Sequence, residues 1–399
     1  MTEIVPRLVT EGTTKIVLVL IDGLGGVRTD ERGSELHAAR TPNMDRLALE
    51  GSSGLHTVIA PGVTSGSGAG HLAVFGYDPL VYELGRGALS AAGVGFPLKP
   101  GDVAARVNFC TLDANGNIAD RRAGRLSTDD NSRLCVKILA WLQPPEDVEV
   151  FLETEREHRA LLVLRGEGLS PHLLDTDPQV TGLPPKPPTA TGPEGADTAA
   201  YLSDILAQVA VVLEDEKANF LLLRGFDTLR ELPLFPARYS LRAQGVAIYP
   251  MYTGIARILG MDVTTVVGGV PEELEALKAA WAEHDFFYFH HKKADSAGED
   301  GDFDRKVAAI EEIDAVIPDI VSLNPDVICV TGDHATPSQL RSHSWHPVPF
   351  VLWGPRVGVD GVEVFDEEAG LTGGYGSILG KELMGLMLAG AGRLIKYGA

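Results

Sequence analysis

Cysteine is scarce in this sequence: Cys110, Cys135 and Cys329 are the only three in 399 residues. An odd number with no metal-ligand spacing argues against a disulfide framework or a thiolate metal centre, and fits a reduced, cytosolic setting. Basic residues are also few. Against 55 Asp and Glu stand 34 Lys and Arg, for a net charge of −21. That balance excludes broad nucleic-acid binding, and an anionic ligand would need a local nest of cations to overcome the field. Long apolar runs are missing too. Nothing approaches the roughly 20 residues of a membrane span, and the opening MTEIVPRLVTEG has no basic segment leading into an apolar one. Neither a nucleic-acid nor a membrane partner is expected, and the expected location is cytoplasmic. What remains is 44% hydrophobic, ordinary for a globular protein, with room for two or three domains or one large domain carrying an insertion.

The run KIVLVLIDGLGG (residues 15–26) is apolar on both faces, as in a central strand of a parallel sheet covered by helices. TPNMDRLALEG follows, with Thr41 as N-cap, Pro42 in the first turn and Gly51 as the stop. HDFFYFHHK, DVICVTGDH and VPFVLWGP later alternate with helical patterns at 271–284 and 304–323. This rhythm predicts a doubly wound α/β core. The middle differs. EVFLETEREHRALLVLRG predicts paired strands around a turn, TGLPPKPPTATGPEGADT an exposed loop, and residues 198–216 an amphipathic helix before the strand NFLLLRG. The expected organisation is a split core, 1–82 with 238–399, holding an inserted smaller α/β domain at 83–237.

In open α/β sheets, ligands bind beyond the carboxyl ends of the strands. The first strand delivers Asp22 there. YFHHK leads to ADSAGED, where Asp295 and Glu299 are one helical turn apart. ICVTGDH delivers Asp333 and His334, and RSHSWHPVP follows with His343 and His346. Taken singly, Asp22 could be a turn former, His334 a satisfied partly buried histidine, and Asp295 with Glu299 a solvated helix face; His346, before Pro347, reads as structural. Together they converge on one sheet edge. Asp, Glu and His without thiolate suit divalent ions that accept oxygen and imidazole ligands. The stretch GVTSGSGAGHLAVFGYDP has no Gly-Lys-Ser/Thr, so it is not a P-loop. Its Gly- and Ser-rich turn running into a helix is instead a ready phosphate site. A hydroxyl there, beside a cation, would be an activated nucleophile. Ser67 is the central candidate, with Ser65 and Thr64 as rivals.

The stretches LIDGLGG, TPNMDRLA, GSGAGHLAVFGYDP, GRGALSAAGVGF, RVNFCTL, DRRAGR, HRALLVLRG, TGDHATP and HSWHPVP, in this order, resemble the archaeal-type cofactor-independent phosphoglycerate mutases of the alkaline phosphatase superfamily. The resemblance covers nearly the whole chain. It implies an alkaline-phosphatase-like doubly wound sheet core with an inserted smaller α/β domain. It also implies a phosphoserine at Ser67, and interconversion of 3-phosphoglycerate and 2-phosphoglycerate in glycolysis and gluconeogenesis without a bisphosphoglycerate primer. Two divalent ions are implied, Mn²⁺ first, with Zn²⁺, Co²⁺ or Mg²⁺ as alternatives. One would be held by Asp22, Ser67, Asp333 and His334, the other by Asp295, the position of Glu299, and His343.

Two departures stand out against the family pattern: Glu299 where His is usual, and Gly68 where Asp usually follows the nucleophile. A carboxylate at 299 hardens the second site. Glycerate must stay trapped during transfer, so the inserted domain is the expected lid. Arg121, Arg122 and Arg125 in DRRAGR, with His158, Arg159 and Arg224, are the expected cationic nest for substrate carboxylate and phosphate. Lys292, at the end of its strand, would stabilise the transferring phosphoryl group. Two other functions fit the same sequence: a metal-dependent phosphatase or other phosphomutase of the same superfamily, and a non-catalytic phospholigand-binding protein, which Glu299 would favour.

Overall fold

In the computed structural model, which describes residues 4–28 and 32–398, the chain divides into two units: Met1–Glu83 with Leu232–Ala399, and Leu84–Glu231. In chain order, the strands of the first unit before the insertion are β1 (Ile16–Ile21) and β2 (Ser52–Thr57). The second unit holds β3 (Val103–Leu112), β4 (Ile118–Asp120), β5 (Glu149–Arg156), β6 (Arg159–Arg165), β7 (Leu173–Leu174), β8 (Thr189–Ala190) and β9 (Phe220–Asp227). The first unit resumes with β10 (Ala243–Ala247), β11 (Asp262–Thr265), β12 (Phe286–His291), β13 (Val327–Thr331), β14 (Val348–Trp353) and β15 (Gly376–Leu379).

The first unit is built on an eight-stranded sheet in the order β11-β10-β12-β1-β13-β14-β2-β15. All six residues of β1 are fully buried, because neighbouring strands cover its edges and helices both its faces. β1 runs parallel to β12 on one side and to β13 on the other, so these three strands end along one edge. The sheet is mixed. β14 is antiparallel to both β13 and β2, since residues 332–347 contain no helix and a parallel return needs a crossover, usually helical.

The pattern at 304–323 is not one helix but two, Phe303–Asp314 and Ile317–Ser322. Pro318 explains the break: it lacks an N–H and its ring would clash with the carbonyl of Asp314. The helix Pro42–Leu49 starts where expected, yet Thr41 makes no side-chain cap bond. Asp314 does that work from another helix, accepting from Met44 N–H at 2.8 Å and Asn43 N–H at 3.1 Å. Among the described residues no helix is long and apolar enough to cross a membrane, and all three cysteines are free and buried.

The second unit is an antiparallel sheet in which β3 pairs with both β6 and β9, and β5 pairs with β6 as a hairpin. One face carries Val107, Phe109, Leu162, Leu164, Leu221 and Leu223 into a core shared with Leu134, Ile138, Leu202 and Ile205 of two helices. Pairing sets Arg106 opposite Arg224 and Asn108 opposite Arg159. Directly opposed residues share a face, so these polar groups line the other side of the sheet. Residues 181–192 of the Pro-rich stretch are loop except for the two-residue β8, which pairs with β7; its end is not loop, since Pro193–Gly195 makes a 3₁₀ turn that leads into the helix Ala196–Val212. The unit's two ends meet: Gly85 N–H donates to the Asp227 carboxylate.

Candidate active site

Asp22 follows β1, Asp333 and His334 follow β13, and Asp295 lies in the helix Lys293–Asp300 after β12. Three adjacent parallel strands thus bring these residues to one edge, each 0–1% exposed. Gly23 makes the approach possible. Its φ is +67°, and a Cβ there would stand 2.8 Å from the Asp295 Cβ and 2.7 Å from the Thr336 hydroxyl. A side chain is excluded on both grounds. Its N–H donates to Asp333 Oδ1 at 3.2 Å.

Ser67 opens the helix Ser67–Val74, preceded by Gly66, where first-turn N–H groups lack intrahelical partners. Its Oγ lies 3.2 Å from His334 Nε2. The same nitrogen is 3.5 Å from Asp22 Oδ1 and 3.3 Å from Asp333 Oδ2, and both of those buried oxygens lack a hydrogen bond. Two orphaned carboxylate oxygens, an imidazole nitrogen and a hydroxyl around one point form a donor set that fits a divalent cation. The helix is pressed close to Asp333: a Cβ on Gly70 would meet the Asp333 carbonyl oxygen at 2.2 Å. Ser65 is buried and its hydroxyl donates to the Gly66 carbonyl; Thr64 is exposed.

Asp295, His334 and His343 form a second cluster able to hold a cation. His343 Nε2 is 3.4 Å from Asp295 Oδ1 and 3.8 Å from Glu299 Oε1, and its ring stacks on His334 with centroids 3.7 Å apart. Glu299 stands at the rim, its side chain 48% exposed. Lys292 donates to Asp295 Oδ2 and lies 3.3 Å from Asp22 Oδ2. His346 takes no part in either cluster; its Nδ1 is 3.0 Å from the Ser344 hydroxyl.

These contacts push the carboxylates apart electrostatically. Burial, with Asp333 as a like charge nearby, raises the Asp22 carboxyl to about 6. Burial would raise Asp333 as well, but His334 and His71 hold it below the usual carboxylate range. Asp295 likewise stays well below that range, burial being outweighed by Lys292 and His343. Burial keeps His334 low and therefore neutral, the form in which imidazole ligates. For His343 burial is overcome by its bond to Asp295, which lifts it to about 9.

Several residues around the clusters were not apparent from sequence. Thr336 donates to Asp295 Oδ1 at 2.7 Å and sits 3.0 Å from His334 Nδ1. His290 Nε2 is 3.2 Å from Asp22 Oδ2, and its ring stacks on Tyr252. His71, one turn after Ser67, donates from Nδ1 to the Ser67 carbonyl at 2.7 Å, with Asp333 Oδ2 at 3.1 Å beside that line. The spacing Ser-x-x-x-His and the Thr inside TGDHATP were the available signals.

In the second unit, Arg121 forms an ion pair with buried Asp177, and Arg224 lies 3.6 Å from Asp175 and 3.7 Å from Asp177. Arg122 and Arg125 are exposed, Arg125 with φ +57°. His158 is buried, and burial with Arg159 and Arg122 nearby lowers it to about 3. Arg106 was missed by sequence reasoning. Its guanidinium senses Glu155, Arg159, Arg86 and Arg224, and burial lowers it to about 10; a charged residue inside an apolar strand was the signal.

The family model for 2,3-bisphosphoglycerate-independent phosphoglycerate mutase matches residues 48–219. A Thermus thermophilus protein named "Probable 2,3-bisphosphoglycerate-independent phosphoglycerate mutase" is 47% identical over 401 residues, covering 99% of both chains. A protein of the same name from Deinococcus radiodurans is 46% identical, covering 97% of this chain and 96% of that one. Among solved structures, the cofactor-independent phosphoglycerate mutase of Thermoplasma acidophilum superposes with a TM-score of 0.67 at 31% identity, over 95% of this chain and 100% of its own. A Pyrococcus horikoshii protein reaches a TM-score of 0.83 at 29% identity, over 97% of this chain and 100% of its own.

Proposed function

Since the chain belongs to the 2,3-bisphosphoglycerate-independent phosphoglycerate mutases and is thus an isomerase, we propose that it interconverts 3-phosphoglycerate and 2-phosphoglycerate through a phosphoserine at Ser67, with divalent metal ions bound at its two clusters. The observation that carries this is the convergence of the Ser67 hydroxyl and the orphaned oxygens of Asp22 and Asp333 on His334 Nε2.

Asp22, Ser67, Asp333 and His334 would hold one ion; Asp295 and His343, with Glu299 at the rim, the other. Bound there, the ions supply Lewis-acid charge neutralisation and lower the pKa of the serine hydroxyl. Mn²⁺ suits this set of carboxylates and imidazoles, and Glu299 adds a further hard oxygen. Ser67 gives up its hydroxyl proton as Oγ attacks the phosphorus, the bond from phosphorus to O3 breaks, and O3 takes up that proton. The freed glycerate then presents O2, which loses its proton and attacks the phosphoserine phosphorus; the bond from phosphorus to Ser67 Oγ breaks, and Oγ takes up the proton. The free N–H groups of the serine helix and the Lys292 ammonium bind the equatorial phosphoryl oxygens as charge shifts among them. Arg121, Arg122, Arg125, Arg159 and Arg224, with neutral His158, bind the carboxylate and phosphate of the substrate.

The test is turnover of 3-phosphoglycerate coupled to enolase, with no bisphosphoglycerate, on chelator-stripped protein with and without Mn²⁺. Activity that needs Mn²⁺ and disappears in Ser67→Ala is the expected result. A folded protein inactive with every divalent ion would refute the proposal. Arg121→Ala should abolish glycerate turnover while sparing slow hydrolysis of a generic phosphoester. Equal survival of both would refute the arginine assignment.

A further inference from the structure

Thr336 is fully buried two residues after His334, and its backbone is fixed on both sides. Its N–H donates to the Gly25 carbonyl at 3.0 Å, and its own carbonyl accepts from the buried Lys306 ammonium at 2.9 Å. The side-chain oxygen is therefore held in place, between groups of the two clusters. A hydroxyl has one hydrogen to give and lone pairs to receive. The carboxylate of Asp295 can only accept, so the Thr336 hydrogen goes to Asp295 Oδ1, 2.7 Å away. Toward His334 Nδ1, at 3.0 Å, the hydroxyl can then only accept. Nδ1 must carry the ring proton, which leaves Nε2 with a bare lone pair, aimed at the point where Ser67 Oγ, Asp22 Oδ1 and Asp333 Oδ2 gather.

We propose that Thr336 is a positioning residue shared by both clusters: its hydroxyl fixes the His334 tautomer that ligates beside Ser67 and, through the same oxygen, orients Asp295 in the second cluster. This rests on the metal reading above. An outer partner of a metal-bound imidazole orients that ligand and fixes its tautomer; here a single hydroxyl spans ligands of two ions, so its loss should weaken both.

Thr336→Val keeps the shape and removes the hydroxyl, whereas Thr336→Ser keeps the hydroxyl and removes the methyl. The probe is Mn²⁺, titrated by electron paramagnetic resonance into chelator-stripped full-length protein, alongside kcat, KM and Tm. Thr336→Val should bind Mn²⁺ at both sites about 10–100-fold more weakly, with kcat down by a similar factor and KM within about twofold. Thr336→Ser should stay within about threefold of wild type in both, even if its Tm falls further. A packing role predicts the opposite ranking, with valine benign and serine impaired. That ranking, or equal impairment of both variants, would overturn the proposal. If the wild type binds no divalent ion, the metal reading fails by itself, and imidazole ¹⁵N shifts of His334 still decide Thr336. The Nδ1–H tautomer in wild type and Thr336→Ser, lost in Thr336→Val, supports it; one tautomer in all three overturns it.

Discussion

Glu273 is completely buried, and burial, reinforced by Glu312 nearby, pushes its carboxyl to about 8 from an ordinary 4.5. Between those values the unfolded chain releases a proton that the folded chain keeps. Stability therefore falls as pH rises through that window. Glu273→Gln should raise stability by on the order of 3 kcal/mol near neutral pH and change little near pH 4; thermal unfolding at the two pH values checks it. Gly70→Ala should act the other way. The added methyl would collide with the Asp333 carbonyl oxygen, costing about 1–3 kcal/mol and displacing Asp333, so turnover should fall more steeply than stability. The strand-end acids and histidines were legible in the sequence because the apolar runs before them belong side by side in one sheet, so residues that are unremarkable singly converge on one edge. Thr336, His71 and His290 were not. Their roles depend on which atoms face them across the sheet edge; the Ser-x-x-x-His spacing and the Thr inside TGDHATP mark positions without showing those atoms.

Among the elements, the parallel trio β12-β1-β13 was readable because each strand is a continuous apolar run, which only a sheet covered on both faces can bury. The antiparallel turn of β14 was not, because direction is set by the connection, and residues 332–347 carry turns and ligands instead of a helix. The helix Pro42–Leu49 shows how a local rule can find a boundary and miss its cause. Thr41 occupies the N-cap position, but Asp314 satisfies the orphan N–H groups. Asp314→Ala should cost about 2 kcal/mol and Thr41→Ala less than half of that. Chemical denaturation of the two variants would show the order; a reversal would mean that the cap from Asp314 contributes little.

At the scale of the whole molecule, each unit has its own apolar core. In the first, the metal-binding candidates are held by protein contacts as well: Asp22 by His290 and Lys292, Asp333 by Gly23, Asp295 by Thr336. Stripping metal with a chelator should thus abolish turnover while leaving the far-ultraviolet circular dichroism unchanged. Loss of secondary structure on stripping would show that the ions hold the fold together. The second unit is a continuous segment, and residues 84–231 expressed alone should give a dispersed amide NMR spectrum and cooperative unfolding.

The bond that joins Gly85 to Asp227 has a further consequence for how such a chain can change over time. A segment whose entry and exit lie side by side leaves and enters a gene as a cassette, since a short bridge can close the gap it leaves behind. The chain on either side of it keeps Ser67 and both acid–histidine clusters in a separate unit. On the proposed assignment of substrate binding to the second unit, exchanging the cassette would change the substrate while the elements around Ser67 stay as they are.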